Sequence, residues 1–193
     1  ELAKLQIPAV TISDQKVFES AQATELYYIL ESVENISRGN INRTLLTVIA
    51  GYTVGQLDTL DLEILLLTFK AYQEAWKEKG VYAFLRQFLR DVQITKRQLS
   101  GTIPNGERVL ADTFQLIEML HDAEKRKNYA PRELIQWLKK GIEGQFASAD
   151  QYLQRIESDE NAVKIVTIHK SKGLEYDIVI APFLDMKVNT KHE

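Results

Sequence analysis

Residues 163–183 read Val-Lys-Ile-Val-Thr-Ile-His-Lys-Ser-Lys-Gly-Leu-Glu-Tyr-Asp-Ile-Val-Ile-Ala-Pro-Phe, and this stretch sets the expected fold. Val163–Ile168 is rich in β-formers, 170–176 is polar, and Ile178–Phe183 is almost continuously apolar. An apolar run of that length resembles a parallel strand buried on both faces. The polar segment between two such runs lies where open α/β sheets place ligands.

That segment holds a set of groups suited to an anion. Gly173 frees the backbone for close approach, and a helical turn beginning near Ser171 would aim free N–H groups outward. His169, Lys170 and Lys172 are phosphate donors, and Glu175 is an acceptor suited to a sugar hydroxyl. The residues alone leave two readings open, a nucleotide or phosphate contact and a solvated loop between strand and helix.

Working back from residue 163, the spacing changes from two to helical. Pro131 opens one predicted helix at the position proline favours, burying Leu134, Ile135, Trp137 and Leu138. Further helices are expected over Glu107–Lys125, Val81–Val92 and Leu60–Lys79, the last stopped by Gly80 after Lys77 and Lys79. Gly39-Asn40 is expected to break a helix from Val17 to Glu34 and to let another start at Ile41. Ser148 and Gln151 suit a capping box for a short last helix. Residues 7–12, Ile-Pro-Ala-Val-Thr-Ile, form another predicted strand, so strand signals flank about 120 helical residues. The expected fold class is α/β, one layer interrupted by a mostly α-helical insertion, with residues 36–154 carrying a core of their own.

Composition narrows the function classes. Hydrophobic residues are 45% and charged residues 26% of the 193, a globular balance. Without cysteine there are no disulfides or thiolate metal sites, and the three histidines are too scattered to suggest a metal. No apolar run approaches the roughly 18 residues of a bilayer span, and no secretory signal is evident, so a cytoplasmic location is expected. A net charge of −3 confines any nucleic-acid contact to local patches. The start at Glu1 and the stop at Glu193 give the expectation of a piece of a longer protein.

Thr167-x-His169-x-x-Lys172-Gly173-Leu174-Glu175, followed by Tyr176 and an apolar run, resembles motif V of the UvrD/RecB branch of superfamily 1 DNA helicases. The resemblance extends to Leu153–Asp159, to Glu107-Arg108-x-Leu110-x-Asp112, to Leu134-Ile135-x-Trp137-Leu138, and to Ile7-Pro8 and Val17-Phe18-Glu19. It implies a partial RecA-like second motor domain (2A) split by a helical insertion (2B). Residues 1–35 and 155–193 would be the 2A pieces, and 36–154 the insertion. It further implies that Glu175, with Gly173 and Lys172, faces the ribose and phosphates of ATP. Thr167, His169 and Lys170 would couple DNA to the nucleotide cleft.

The implied parent is an ATP-dependent DNA helicase/exonuclease subunit using ATP and Mg²⁺. It would act on single- and double-stranded DNA in recombinational repair, beside RecC-like and RecD-like subunits. The position matching the family's motif IV arginine holds Ser20, and no G-x-x-x-x-G-K-[ST] phosphate loop occurs in the chain. No catalytic residue and no metal ligand is therefore expected within it. An AddA-type or UvrD-type helicase, or a non-catalytic helical binding module, are the alternatives.

The other conspicuous residues have plainer expectations. Trp76, Trp137, Phe84, Phe88 and Phe114 fall at core spacing, and His121 at that of a satisfied core histidine. Lys125-Arg126-Lys127, Arg132, Lys139 and Lys140 are diluted by Asp122, Glu124 and Glu133, as on a solvated face.

Overall fold

The computed structural model describes residues 5, 7, 9–11, 16–101, 105–146, 152–155 and 163–182. The predicted cap at Ser148 and Gln151, and the ends of the predicted strands at Ile12 and Phe183, lie outside them. The chain divides into two compact units, residues 13–161 and residues 1–12 with 162–193.

The larger unit is helical. After a single 3-10 turn at Val17–Glu19 come α1 (Ala21–Glu34), α2 (Arg38–Leu45), α3 (Val54–Leu57) and α4 (Leu62–Lys79). They are followed by α5 (Val81–Asp91), α6 (Ile94–Leu99), α7 (Gly106–Lys127) and α8 (Pro131–Ile142). Helix α1 is the hub, packing on α2, α4, α7 and α8. Its Leu26, Ile29, Leu30 and Val33 are all fully buried. Helix α1 thus contributes to the core of the helical unit.

Local chemistry explains the boundaries. Ser37 caps α2, its hydroxyl accepting from the Asn40 amide at 3.3 Å, so the helix runs through Gly39-Asn40 instead of breaking there. Asp61 caps α4 through Glu63 N at 2.8 Å, and Gly80 ends it at φ 86° as predicted. The predicted Val17–Glu34 helix is interrupted at Ser20, where extended backbone separates the 3-10 turn from α1. Phe18 packs edge-on against Trp137, Phe146 and Tyr152 at 5.2–5.5 Å. A Cβ on Gly141 would stand 2.7 Å from the Phe18 ring, so only glycine fits there.

Residues 152–155 are tied to α7. Gln115 Nε2 donates to Leu153 O at 2.7 Å, and Arg155 N donates to Gln115 Oε1 at 2.9 Å. Buried Asp112 accepts from Arg108 and, at 3.0 Å, from Gln154 Nε2.

The smaller unit departs from the α/β expectation. Its described strands are β1 (Ala9–Thr11) and β2 (Val163–Ile165), paired in parallel with Ala9 opposite Val163 and Thr11 opposite Ile165. The strand predicted through Ile168 stops at Ile165, and Ile168 opens a one-turn helix, α9 (Ile168–Ser171). No strand forms over 178–182, where Ile178 and Ile180 are 83% and 84% exposed. An interior strand needs hydrogen-bonding neighbours and layers on both faces, and two three-residue strands supply neither. The described structure is therefore mostly helical.

Candidate functional site

The polar segment of the smaller unit has a defined backbone. Thr167 is the residue before α9, and its carbonyl accepts from Ser171 N at 3.0 Å. The Ser171 hydroxyl donates to Ile168 O at 2.8 Å, closing the turn. Helix α9 thus ends at Ser171 instead of beginning there, which corrects the expected direction of its free N–H groups.

A second turn follows directly. Leu174 N donates to Ser171 O at 3.0 Å. Lys172 lies at φ −62°, ψ 119° and Gly173 at φ 85°, the pattern of a type II turn. The third residue of such a turn needs positive φ, which glycine adopts without strain. A Cβ at Gly173 would meet nothing within 4 Å. Backbone conformation, and not crowding by described residues, is what this position asks of glycine.

The turn displays its neighbours. Thr167, Lys172, Gly173 and Glu175 are exposed, and the Lys172 and Glu175 side chains have no hydrogen bond or ion pair to another described residue. Both charged groups are available to a ligand, which fits a nucleotide or phosphate contact. His169 and Lys170 lie in α9 by their backbone, and their side chains lie outside the description. The Tyr176 hydroxyl is buried without a hydrogen-bond partner, a feature for which the sequence offers only a phenol between Glu175 and Asp177. No cluster able to hold a metal ion occurs among the described residues.

The residues given plainer readings are accounted for in the helical unit. Trp76, Phe84 and Phe88 are buried, and Trp137 and Phe114 pack partly buried against the same core. His121 differs from expectation, since its ring lies 5.4 Å from that of Tyr82 but its buried Nδ1 has no partner. In the basic stretch Arg126 pairs with Asp122 at 3.1 Å and Arg132 with Glu34 at 2.8 Å. Ser20, at the motif IV position, donates its hydroxyl to Val17 O at 2.6 Å. No described helix is long and apolar enough to cross a membrane.

These features meet in a known family. Residues 69–188, spanning most of the helical unit and the exposed turn, match the UvrD-like helicase C-terminal domain, and the chain belongs to that family. Within it the similarity is to RecB, a subunit of the RecBCD enzyme. The chain is 37% identical to RecB of Haemophilus influenzae over 190 residues, covering 95% of this chain and 15% of that protein. It is 33% identical to Escherichia coli RecB, over 95% of this chain and 16% of that protein. RecB of Mycobacterium tuberculosis is 29% identical over 94% of the chain. The chain thus spans about one-sixth of the length of the RecB subunits it matches.

Proposed function

We propose that this chain is the 2A/2B region of a RecB-like, ATP-dependent DNA helicase/exonuclease subunit acting in double-strand-break repair. In this reading residues 1–35 and 155–193 belong to a RecA-like second motor domain, completed by strands from the rest of the protein. Residues 36–154 are the helical 2B insertion. Completion by further strands also accounts for the exposed Ile178–Ile180, since burial against neighbours would give that run the partners it lacks.

The observation that carries the proposal is the 167–176 turn, which displays Lys172 and Glu175 without a bond to another described residue, within a family match over residues 69–188. Glu175 would accept from the ATP ribose, and Lys172 with the Gly173 backbone would face its phosphates. Thr167, His169 and Lys170 would form the DNA-coupling side of the same loop. Hydrolysis of Mg²⁺-bound ATP supplies the free energy for movement along DNA. Phosphoryl transfer itself needs a phosphate cradle and a charge-stabilising arginine, and motifs for these do not occur in residues 1–193. The role of the present residues is to hold nucleotide and strand in register. RecC-like and RecD-like subunits would be its partners, single- and double-stranded DNA its substrates, and the cytoplasm its place of action. The test is DNA-stimulated ATP hydrolysis and unwinding by the full-length protein altered at Glu175 and Lys172.

A further inference from the structure

Helix α4 turns Phe69, Tyr72 and Trp76 into the core, and the motor reading leaves its opposite face without a role. Ile64, Leu67, Ala71, Glu74 and Glu78 follow one another at alternating steps of three and four, which puts them on one side of the helix. Ile64 is 62% and Leu67 61% exposed, and Ala71, Glu74 and Glu78 are exposed as well. The outer face of α4 is therefore a short apolar stripe that runs on into two carboxylates.

Both ends of the apolar part are acidic. Asp58, Asp61 and Glu63 stand exposed at its N-terminal end, and no lysine or arginine occurs from residue 44 to residue 69. At the other end Glu74 and Glu78 make no hydrogen bond or ion pair to another described residue. Two carboxylates a helical turn apart repel, and Glu78 lies in the last turn, where the helix dipole also disfavours negative charge. Lys70, Lys77 and Lys79 lie on the flanks of the stripe and form an ion pair with neither.

These charges select the occupant. A nucleic-acid backbone would bring phosphate against unpaired carboxylates, with no cation on the stripe to receive it. A second copy of the chain would bring acid against acid, whether the two α4 helices ran parallel or antiparallel. A helix with apolar residues at the same spacing, and lysine or arginine beyond both ends of them, meets the apolar and the acidic parts together. An apolar centre with charged ends is also the makeup of a separable interface, since permanent ones are more apolar throughout. We propose that the outer face of α4 docks such an amphipathic helix of a partner protein. Its apolar stripe covers Ile64, Leu67 and Ala71, and its basic residues meet Glu74 and Glu78 at one end and Asp61 and Glu63 at the other.

The experiment is fluorescence anisotropy with the 193-residue chain and with the full-length protein. The probe is a fluorescein-labelled helical peptide of about three heptads, with leucine at the central stripe positions and lysine at those of both ends. Controls are the same peptide with glutamate for lysine, and with glutamine for leucine. The lysine–leucine peptide is expected to bind both proteins, about tenfold or more tighter than either control. Ile64→Gln with Leu67→Gln should weaken it by about tenfold or more. Glu74→Lys with Glu78→Lys should weaken it too and strengthen the glutamate peptide, a reversal that loss of folding would not produce. All four positions are exposed, and circular dichroism melts confirm that each variant is folded. Equal affinity for the glutamate peptide, or affinity unmoved by the Ile64 and Leu67 changes, overturns the proposal. So does binding by the 193-residue chain but not by the full-length protein, since the face would then be filled within one polypeptide. A dimer of the unaltered chain that the same Ile64 and Leu67 changes dissociate would overturn it as well, by making a second copy the occupant.

Discussion

Glu124 on α7 accepts a hydrogen bond from the indole Nε1 of Trp76 on α4 at 3.0 Å. The same carboxylate accepts from the amide of Val81, the first residue of α5, with both oxygens at 3.0 Å. Gly80 offers no side chain to cap α5, so a residue 43 positions beyond Val81 performs that task. One carboxylate therefore fixes the α4–α5 corner against α7.

Removing that carboxylate should loosen the corner. Glu124→Ala leaves the Trp76 and Val81 donors without their acceptor, and Trp76 is only 3% exposed. An orphaned buried donor costs about 1–3 kcal/mol, so urea unfolding should show a loss of about 2 kcal/mol or more. Glu124→Gln keeps an acceptor oxygen and should cost less. Equal stability of Glu124→Ala and the unaltered chain would show that water replaces the contact.

Gly80→Ala tests the same corner from the backbone side. At φ 86° an L residue is strained, and its Cβ would lie 2.7 Å from Glu124 Oε2. A loss of at least about 1 kcal/mol is expected. At Gly173 the backbone is equally left-handed but the Cβ position is open. There Gly173→Asn, a residue that tolerates positive φ, should disturb stability less than Gly173→Val.

The helical unit should fold alone only if α1 is included. Leu26, Ile29, Leu30 and Val33 are each 0% exposed, and four such side chains contribute about 6–12 kcal/mol. That is comparable to the roughly 5–15 kcal/mol holding a whole domain together. A polypeptide of residues 13–161 should melt cooperatively with a strongly helical spectrum, and one of residues 36–154 should not. A cooperative melt of the shorter polypeptide would show that α1 is dispensable.

How far each feature was legible depends on the range of the interactions behind it. The α4 stop at Gly80 was readable because lysines, glycine and the end of an apolar stripe coincide within four residues. The α2 start was missed because Ser37 outweighs Gly39-Asn40, a local contest of cap against breaker. The place of α1 was not readable, since its amphipathic pattern records a buried face and not the partners that bury it. The strand at Ile178–Phe183 shows the limit from the other side. Its apolar run signals burial on both faces, and burial depends on neighbours that the described residues do not supply. At the candidate site the loop and its exposed charges were legible from residue type, whereas the orphaned hydroxyl of Tyr176 had no sequence signal.

The 193-residue chain should not hydrolyse ATP. Phosphoryl transfer depends on a phosphate cradle, Mg²⁺ ligands and a charge-stabilising arginine acting together, and the phosphate-loop motif is not in this sequence. Release of phosphate by the purified chain with single-stranded DNA should stay at the level of a no-protein control. DNA-stimulated turnover that follows the protein through successive purification steps would overturn the motor assignment.

In the full-length protein, substitution at the turn should separate activity from stability. Lys172 and Glu175 are exposed and make no bond to another described residue, so truncating either should move the melting temperature little. Surface changes usually stay within about 0.5 kcal/mol. If Glu175 accepts a ribose hydroxyl and Lys172 faces phosphate, each loses a charge-assisted bond worth roughly 1.5–3 kcal/mol. At about 1.4 kcal/mol per factor of ten, Glu175→Ala or Lys172→Ala should lower DNA-stimulated ATPase or unwinding by about ten- to a hundredfold. A solvated loop makes the opposite forecast, with both activity and stability preserved. Unimpaired unwinding by the double variant would sink the functional reading of the turn. Parallel losses of stability and activity would mark Lys172 and Glu175 as structural instead, with bonds to parts of the protein outside these residues.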